Sequence, residues 1–152
     1  MKYLKFSTIN LAVILILVVG CKGRNIPDVS NIKVELQVQR FENDFFAIDT
    51  MHIDSSMQNL QQKYPLFTRD FVFNILALPA QPDSAIVVQK NITTFISSYK
   101  SLKNSSDVIF GDMKPIENEV KKGLQFVKFY FPEYKLPTKL VTFVGPDRKS
   151  VV

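Results

Sequence analysis

Cys21 is the only cysteine in the 152 residues, and it stands where an apolar run stops. A chain with one thiol closes no disulfide within itself and builds no cysteine metal site, so whatever follows must hold together by packing. The run from Leu11 to Val19 is unbroken Leu, Ala, Val and Ile, and a head carrying Lys2 and Lys5 without an acid precedes it. Basic head, apolar middle and a small residue before a cut make a secretory signal. A bilayer span needs roughly 20 apolar residues, and this run ends sooner, with Lys22 and Arg24 just beyond. Gly20 directly before Cys21 is the pattern that bacterial lipoprotein processing recognises. Residues 1–20 are therefore expected to leave as a lipoprotein signal peptide, with Cys21 alkylated by a diacylglycerol and acylated as the first mature residue. Two or three acyl chains hold stably, at roughly 0.8 kcal/mol per buried methylene. Membrane lipid is thus the first partner expected.

The formal charge of +5 and the pI near 9.3 invite a nucleic-acid reading. Sorted by segment, the charge dissolves. Lys2 and Lys5 leave with the signal, the last six residues carry a net +1, and a net +2 remains over residues 21–146. That leaves no electrostatic footprint for nucleic acid. The last six residues, Asp147-Arg148-Lys149-Ser150-Val151-Val152, also look foreign: they are what the sequencing adapter GATCGGAAGAGCGTCGTG encodes in one frame. The adapter's next triplet is a stop, and the gene is expected to continue after about Pro146.

Lys22 to Asn31 is polar, with Gly23 and Pro27, and reads as a lipid-anchored tether, residues 21–31. A domain over residues 32–146 follows. Ile32, Val34, Leu36 and Val38 alternate with Lys33, Glu35, Gln37 and Gln39, which predicts a half-buried, antiparallel strand over 32–41. Asn43 to Ile48 predicts a helical turn packed back on it. Ser55-x-x-Gln58 has the capping-box spacing, predicting a helix to Tyr64 before Pro65. A second helix is expected from Arg69 to Leu78, ended by Pro79. Asp83 or Ser84 should cap a longer third, with Val88, Ile92, Phe95, Tyr99 and Leu102 as its core stripe, ending in a loop at Lys103-Asn104-Ser105-Ser106. A fourth helix should begin at Asp112, with Pro115 in its first turn and Ile116, Val120, Leu124, Val127 and Phe131 facing a core. Its last turns are apolar nearly all round and need cover from more than one side. Lys139 to Val144 predicts a strand buried on both faces, whose cover little of the remaining chain provides. The class is α+β, a helix-rich segment between strands.

The residues carry little recognisable chemistry. No His-Glu-x-x-His helix, Gly-x-Ser-x-Gly elbow or phosphate-binding Gly loop occurs. His52, the one histidine, reads as a surface or capping residue. Glu42, Asp44, Asp49 and Asp54 read as caps and solvated turns, and most of the thirteen phenylalanines fall on core stripes. No catalytic residue, metal ligand or cofactor is expected. Asp49-Thr50-Met51 and Asp83-Ser84-Ala85 match the Asp-Ser/Thr-apolar pattern of O-glycosylation in exported proteins of the Bacteroidetes, which makes Thr50 and Ser84 candidate modification sites.

The order of landmarks after Cys21 resembles the gliding-motility lipoprotein GldB family. They are Val38-Gln39-Arg40-Phe41, Asp44-Phe45-Phe46, Lys63-Tyr64-Pro65-Leu66-Phe67, Lys128-Phe129-Tyr130-Phe131-Pro132 and Val141-Thr142-Phe143. The resemblance covers nearly all of residues 21–145 and implies a protein about twice this length. It implies an envelope lipoprotein needed for gliding, linked to protein secretion and bound to other motility or secretion envelope proteins, with a distant fold likeness to zinc metallopeptidases. No active-site residue carries over from it; Cys21 alone transfers. The alternative it leaves open is a metallopeptidase-like hydrolase whose metal site lies beyond the present chain. Lys22-Gly23-Arg24 lacks the acidic run that marks surface display, so a periplasm-facing domain is expected.

Overall fold

The computed structural model describes residues 26–80 and 85–146. The signal, Cys21, Ser84, the Asp83 cap and the last six residues lie outside the described residues. The chain divides into two units, residues 1–31 and 32–152. The described part of the first holds a turn, with the Ser30 N–H donating to Asp28 Oδ1 at 3.0 Å.

The second unit runs β1 (Gln37–Arg40), α1 (Phe41–Phe46), α2 (Ile53–Lys63), α3 (Phe67–Asp70), a π-helical segment (Phe71–Ile75), α4 (Ala85–Phe110), α5 (Lys114–Tyr130) and β2 (Lys139–Thr142). Helices between two strands make it α+β. The strands pair parallel, Gln37 with Lys139 through Arg40 with Thr142, which corrects the antiparallel expectation. Alternation reports one buried face and says nothing of the partner's direction. The partner comes from the far end of the chain, and the helices supply the crossover that a parallel pair requires. Burial does alternate from Ile32 to Leu36, yet only the four residues of β1 find a partner.

The core is aromatic. Phe41 and Phe45, four apart on α1, share a face and meet Phe71, and all three are fully buried. Phe41 contacts Tyr64 edge-on at 5.2 Å between ring centroids and Phe67 at 4.8 Å, and Phe45 meets Phe71 at 4.9 Å. Helix α2 adds Ile53 and Leu60, the π segment Val72, and α4 Ile92. Helix α2 starts at Ile53 rather than Ser55, so the capping box is not formed. Instead Ser55 Oγ donates to the His52 carbonyl at 3.0 Å, and the Met51 N–H donates to Asp49 Oδ1 at 2.8 Å. That Asp49 turn folds the chain early enough to begin the helix two residues sooner.

The segment expected as one helix from Arg69 to Leu78 begins at Phe67 and widens after Asp70, where the Leu76 N–H reaches back to the Phe71 carbonyl at 2.8 Å. Ala77 then takes a positive φ of 53°, the left-handed region that alanine rarely occupies. Helix α4 continues through Lys103–Ser106, where a loop was expected. With no Gly or Pro there, the polar residues merely solvate the helix, and Lys103 is paired with Asp107 one turn on. Leu102, assigned to the core stripe, is half exposed.

Helix α5 opens with the Lys114 N–H donating to Asp112 Oδ1 at 2.9 Å. Its stripe of Ile116, Val120, Leu124 and Val127 is half-buried and none of its residues is fully buried. Phe129, Tyr130 and Phe131 are exposed, so the expected all-round cover is absent among the described residues. Strand β2 is likewise only half-buried, and Phe143 after it is exposed. Val141 packs on the core, while the described residues leave the rest of the strand open. No helix among the described residues is long and apolar enough to cross a membrane.

Candidate functional site

Arg40 occupies the position after Val38 on the face that Ile32, Val34 and Leu36 make apolar. An arginine placed there must find partners, because an unpaired buried charge is expensive. Its Nε donates to Glu42 Oε1, its Nη1 to the carbonyls of Phe110 at 2.8 Å and Gly111 at 3.2 Å, and its Nη2 to Asp107 Oδ1 at 3.3 Å. Glu42, buried to 4% exposure, also accepts from Thr142 Oγ1 at 2.8 Å. Glu42 is therefore neither cap nor solvated turn, contrary to expectation. Its carboxylate joins β2 to β1, and the guanidinium joins β1 to the end of α4. The last carbonyls of a helix lack partners within it, and Arg40 supplies donors to two.

The sequence carried a signal for this hub. Position 40 continues the apolar register of the strand, and a guanidinium in that register implies a buried acceptor set. The i, i+2 relation to Glu42 then points to the first of those acceptors.

A second cluster lies at α1 and α2. Asp44 accepts from the Tyr64 hydroxyl and from Lys63 Nζ at 2.9 Å. Burial tends to raise the Asp44 pKa, but the hydrogen bonds from Lys63 and Tyr64 and the lysine charge outweigh it and hold the carboxyl below its ordinary value. Burial, followed by the bond to Asp44 and the charges of Asp44 and Glu42, pushes the Tyr64 phenol well above its ordinary value.

Thr50 sits exposed in the turn before α2. Asp49 beside it accepts from His52 Nδ1 at 2.8 Å and from the Met51 N–H, and both bonds depress its pKa. His52 is exposed at the N-terminus of α2 and serves that turn, as a surface or capping residue would. Thr50 is open to modification, whereas Cys21 and Ser84 lie outside the described residues. Among the described residues no three of His, Cys, Asp and Glu gather as a metal site. An open groove between α2, the π segment and α4 is lined by Ile53, Met57, Val72, Phe73 and Ile92. Gln89 Nε2 donates to Asp54 Oδ1 at 2.6 Å along it.

The landmarks of β1, α1, the α2–α3 junction and β2 converge, whereas Phe129, Tyr130 and Phe131 stay exposed at the end of α5. Arg40, Phe41, Asp44, Phe45, Tyr64, Phe67, Thr142 and Phe143 form one connected set, with Phe67 and Phe143 in contact at 5.5 Å. Residues 22–152 match the family model described as gliding motility protein GldB. The chain belongs to the GldB family. No curated protein and no solved structure matches it. Membership in the GldB family makes this a gliding motility-associated lipoprotein of the cell envelope. The matched stretch begins immediately after Cys21 and contains both polar clusters of the site.

Proposed function

We propose that this GldB-family chain is anchored through Cys21, faces the periplasm, and serves the gliding machinery and its linked protein secretion without catalysis, by binding other envelope proteins. The observation that carries the reading is the family match directly after a lone cysteine that closes an apolar run. The geometry supports a binding role at the end of α4. Val108 is 87% exposed and Ile109 71%, next to half-exposed Phe110, on a helix end that Arg40 holds in place. Contiguous exposed apolar side chains on a fixed element suit protein contact. The buried polar residues Glu42 and Thr68 are spent on tying elements together, Thr68 Oγ1 donating to the Leu60 carbonyl at 3.1 Å. That is the economy of a scaffold.

Two variants test it in gliding cells. Cys21→Ser should abolish acylation and release the protein from the membrane fraction. Val108→Asp combined with Ile109→Lys should stop spreading while leaving thermal stability and membrane association unchanged. Normal gliding with the double variant would refute the binding surface, and retained acylation in Cys21→Ser would refute the anchor.

A further inference from the structure

Four aromatic side chains crowd the turn that ends α5. Phe129 is 47% exposed, Tyr130 60%, Phe131 63% and Tyr134 56%, all between Lys128 and Lys135. Such a cluster would ordinarily collapse inward. Here it is held out: the Phe131 N–H donates to the Val127 carbonyl at 2.8 Å and the Tyr134 N–H to the Phe131 carbonyl at 2.9 Å. Lys128 Nζ closes the turn by donating to the carbonyls of Pro132 and Tyr134. Phe129 and Tyr130 stand edge to face at 5.0 Å. The turn is a preorganised apolar knuckle, not a frayed end.

We propose that this knuckle docks on the anionic lipid surface of the membrane to which the chain is anchored. Composition selects lipid over protein. Lysine is depleted at the centres of protein interfaces, whereas aromatic rings flanked by lysines suit the boundary between headgroups and acyl chains. Glu133 is the one acid from Lys128 to Lys135, and Lys122 adds positive charge on a preceding turn, where Lys121 is paired with Glu117. The apolar end of α4, by contrast, has no lysine among Val108, Ile109 and Phe110. Anchorage supplies the rest. From Cys21 to Asn31 the chain has about eleven residues, a reach of at most roughly 40 Å, which keeps the domain at high effective concentration at the surface. A weak surface affinity then suffices. The inference rests on the envelope reading above.

The test uses the full chain in its own membranes, with a benzoyl-phenylalanine photoprobe replacing Phe131. Irradiation should give a phospholipid adduct, identified by its mass. Adding Tyr130→Asp and Tyr134→Asp should cut its yield at least several-fold. An adduct to another protein or to a second copy of the chain would overturn the proposal, as would no adduct in a membrane-bound chain. A chain missing from the membrane fraction would instead overturn the envelope reading, and this inference with it.

Discussion

Arg40 Nη1 donates to the carbonyl of Phe110 at 2.8 Å across 70 positions of sequence. That bond ties the first strand to the last turn of the longest helix. Glu42 beneath it is nearly closed to solvent, its side chain 5% exposed against 19% for Arg40.

Arg40→Met should be among the most damaging single changes, because it leaves the Glu42 carboxylate buried with Thr142 alone. Removing one partner of such a pair costs about 3–5 kcal/mol. Arg40→Lys should not rescue it, since one ammonium cannot serve four acceptors. Arg40→Met with Glu42→Gln should lose less than Arg40→Met. Urea midpoints of the three variants check this, and a single-variant loss under about 1 kcal/mol would show that the hub is peripheral.

Gly111 carries the second carbonyl that Arg40 grips. A Cβ built there would lie 2.7 Å from the Asp107 carbonyl oxygen, closer than real contacts come, and the obstacle is backbone. Gly111→Ala should loosen the end of α4 and expose the Val108–Gly111 segment to limited proteolysis. Protease resistance equal to the parent would contradict it.

These features divide what could be read from residues alone from what could not. Periodicity located α4, whose stripe meets the aromatic core through Ile92 and Phe95, and α5, whose stripe is only half-buried, while turn and cap signals pointed to α1 and α2. It failed at Lys103–Ser106, where an ion pair and the distant Arg40 clamp sustain a helix that local polarity argued against. It also failed on strand direction, since β2 lies at the opposite end of the domain and leaves no mark on β1. The Arg40 hub was half legible. Its register was visible, while its acceptors on Phe110 and Gly111 are backbone atoms that no side-chain pattern announces.

Ala77 offers a stabilising change. Its φ of 53° costs a residue with a Cβ about 1–2 kcal/mol, against which glycine's extra unfolded-state freedom must be set. Ala77→Gly should raise stability by about 0.5–1 kcal/mol, read as a higher melting temperature. A lower one would mean the turn relaxes in solution.

The Asp44–Tyr64 pair predicts opposite pH limbs. Asp44 is depressed in the folded state, so its contribution is present above about pH 4, the ordinary aspartate value, and is lost as pH falls through the lower folded value. Tyr64 is raised, so its contribution is complete below about pH 10 and disappears as pH climbs toward its folded value. Tyr64→Phe should cost about 1 kcal/mol at neutral pH and shrink the alkaline loss of stability. In phenolate absorbance titrations, the difference between the parent and Tyr64→Phe should place Tyr64 ionisation above the ordinary tyrosine value of about 10. Ionisation of Tyr64 at the ordinary tyrosine value would refute the pairing.

Thr50 stands exposed in its turn, and an O-linked glycan there should appear as a mass increase on its peptide. Thr50→Ala should abolish it with little change in stability. An unmodified peptide from mature protein would dismiss the site.

The parallel union of β1 with β2 has a consequence for biogenesis. Everything from Phe41 to Thr138 is enclosed between the two strands, and closing a loop of that length costs about 4 kcal/mol in chain entropy beyond the length-independent part. In a polypeptide threaded outward from its N-terminus, β1 emerges long before its mate. The sheet therefore cannot lock while translocation is under way. Nor can Glu42 reach Thr142, so the domain would stay slack enough to pass through a narrow conduit until its closing strand has cleared.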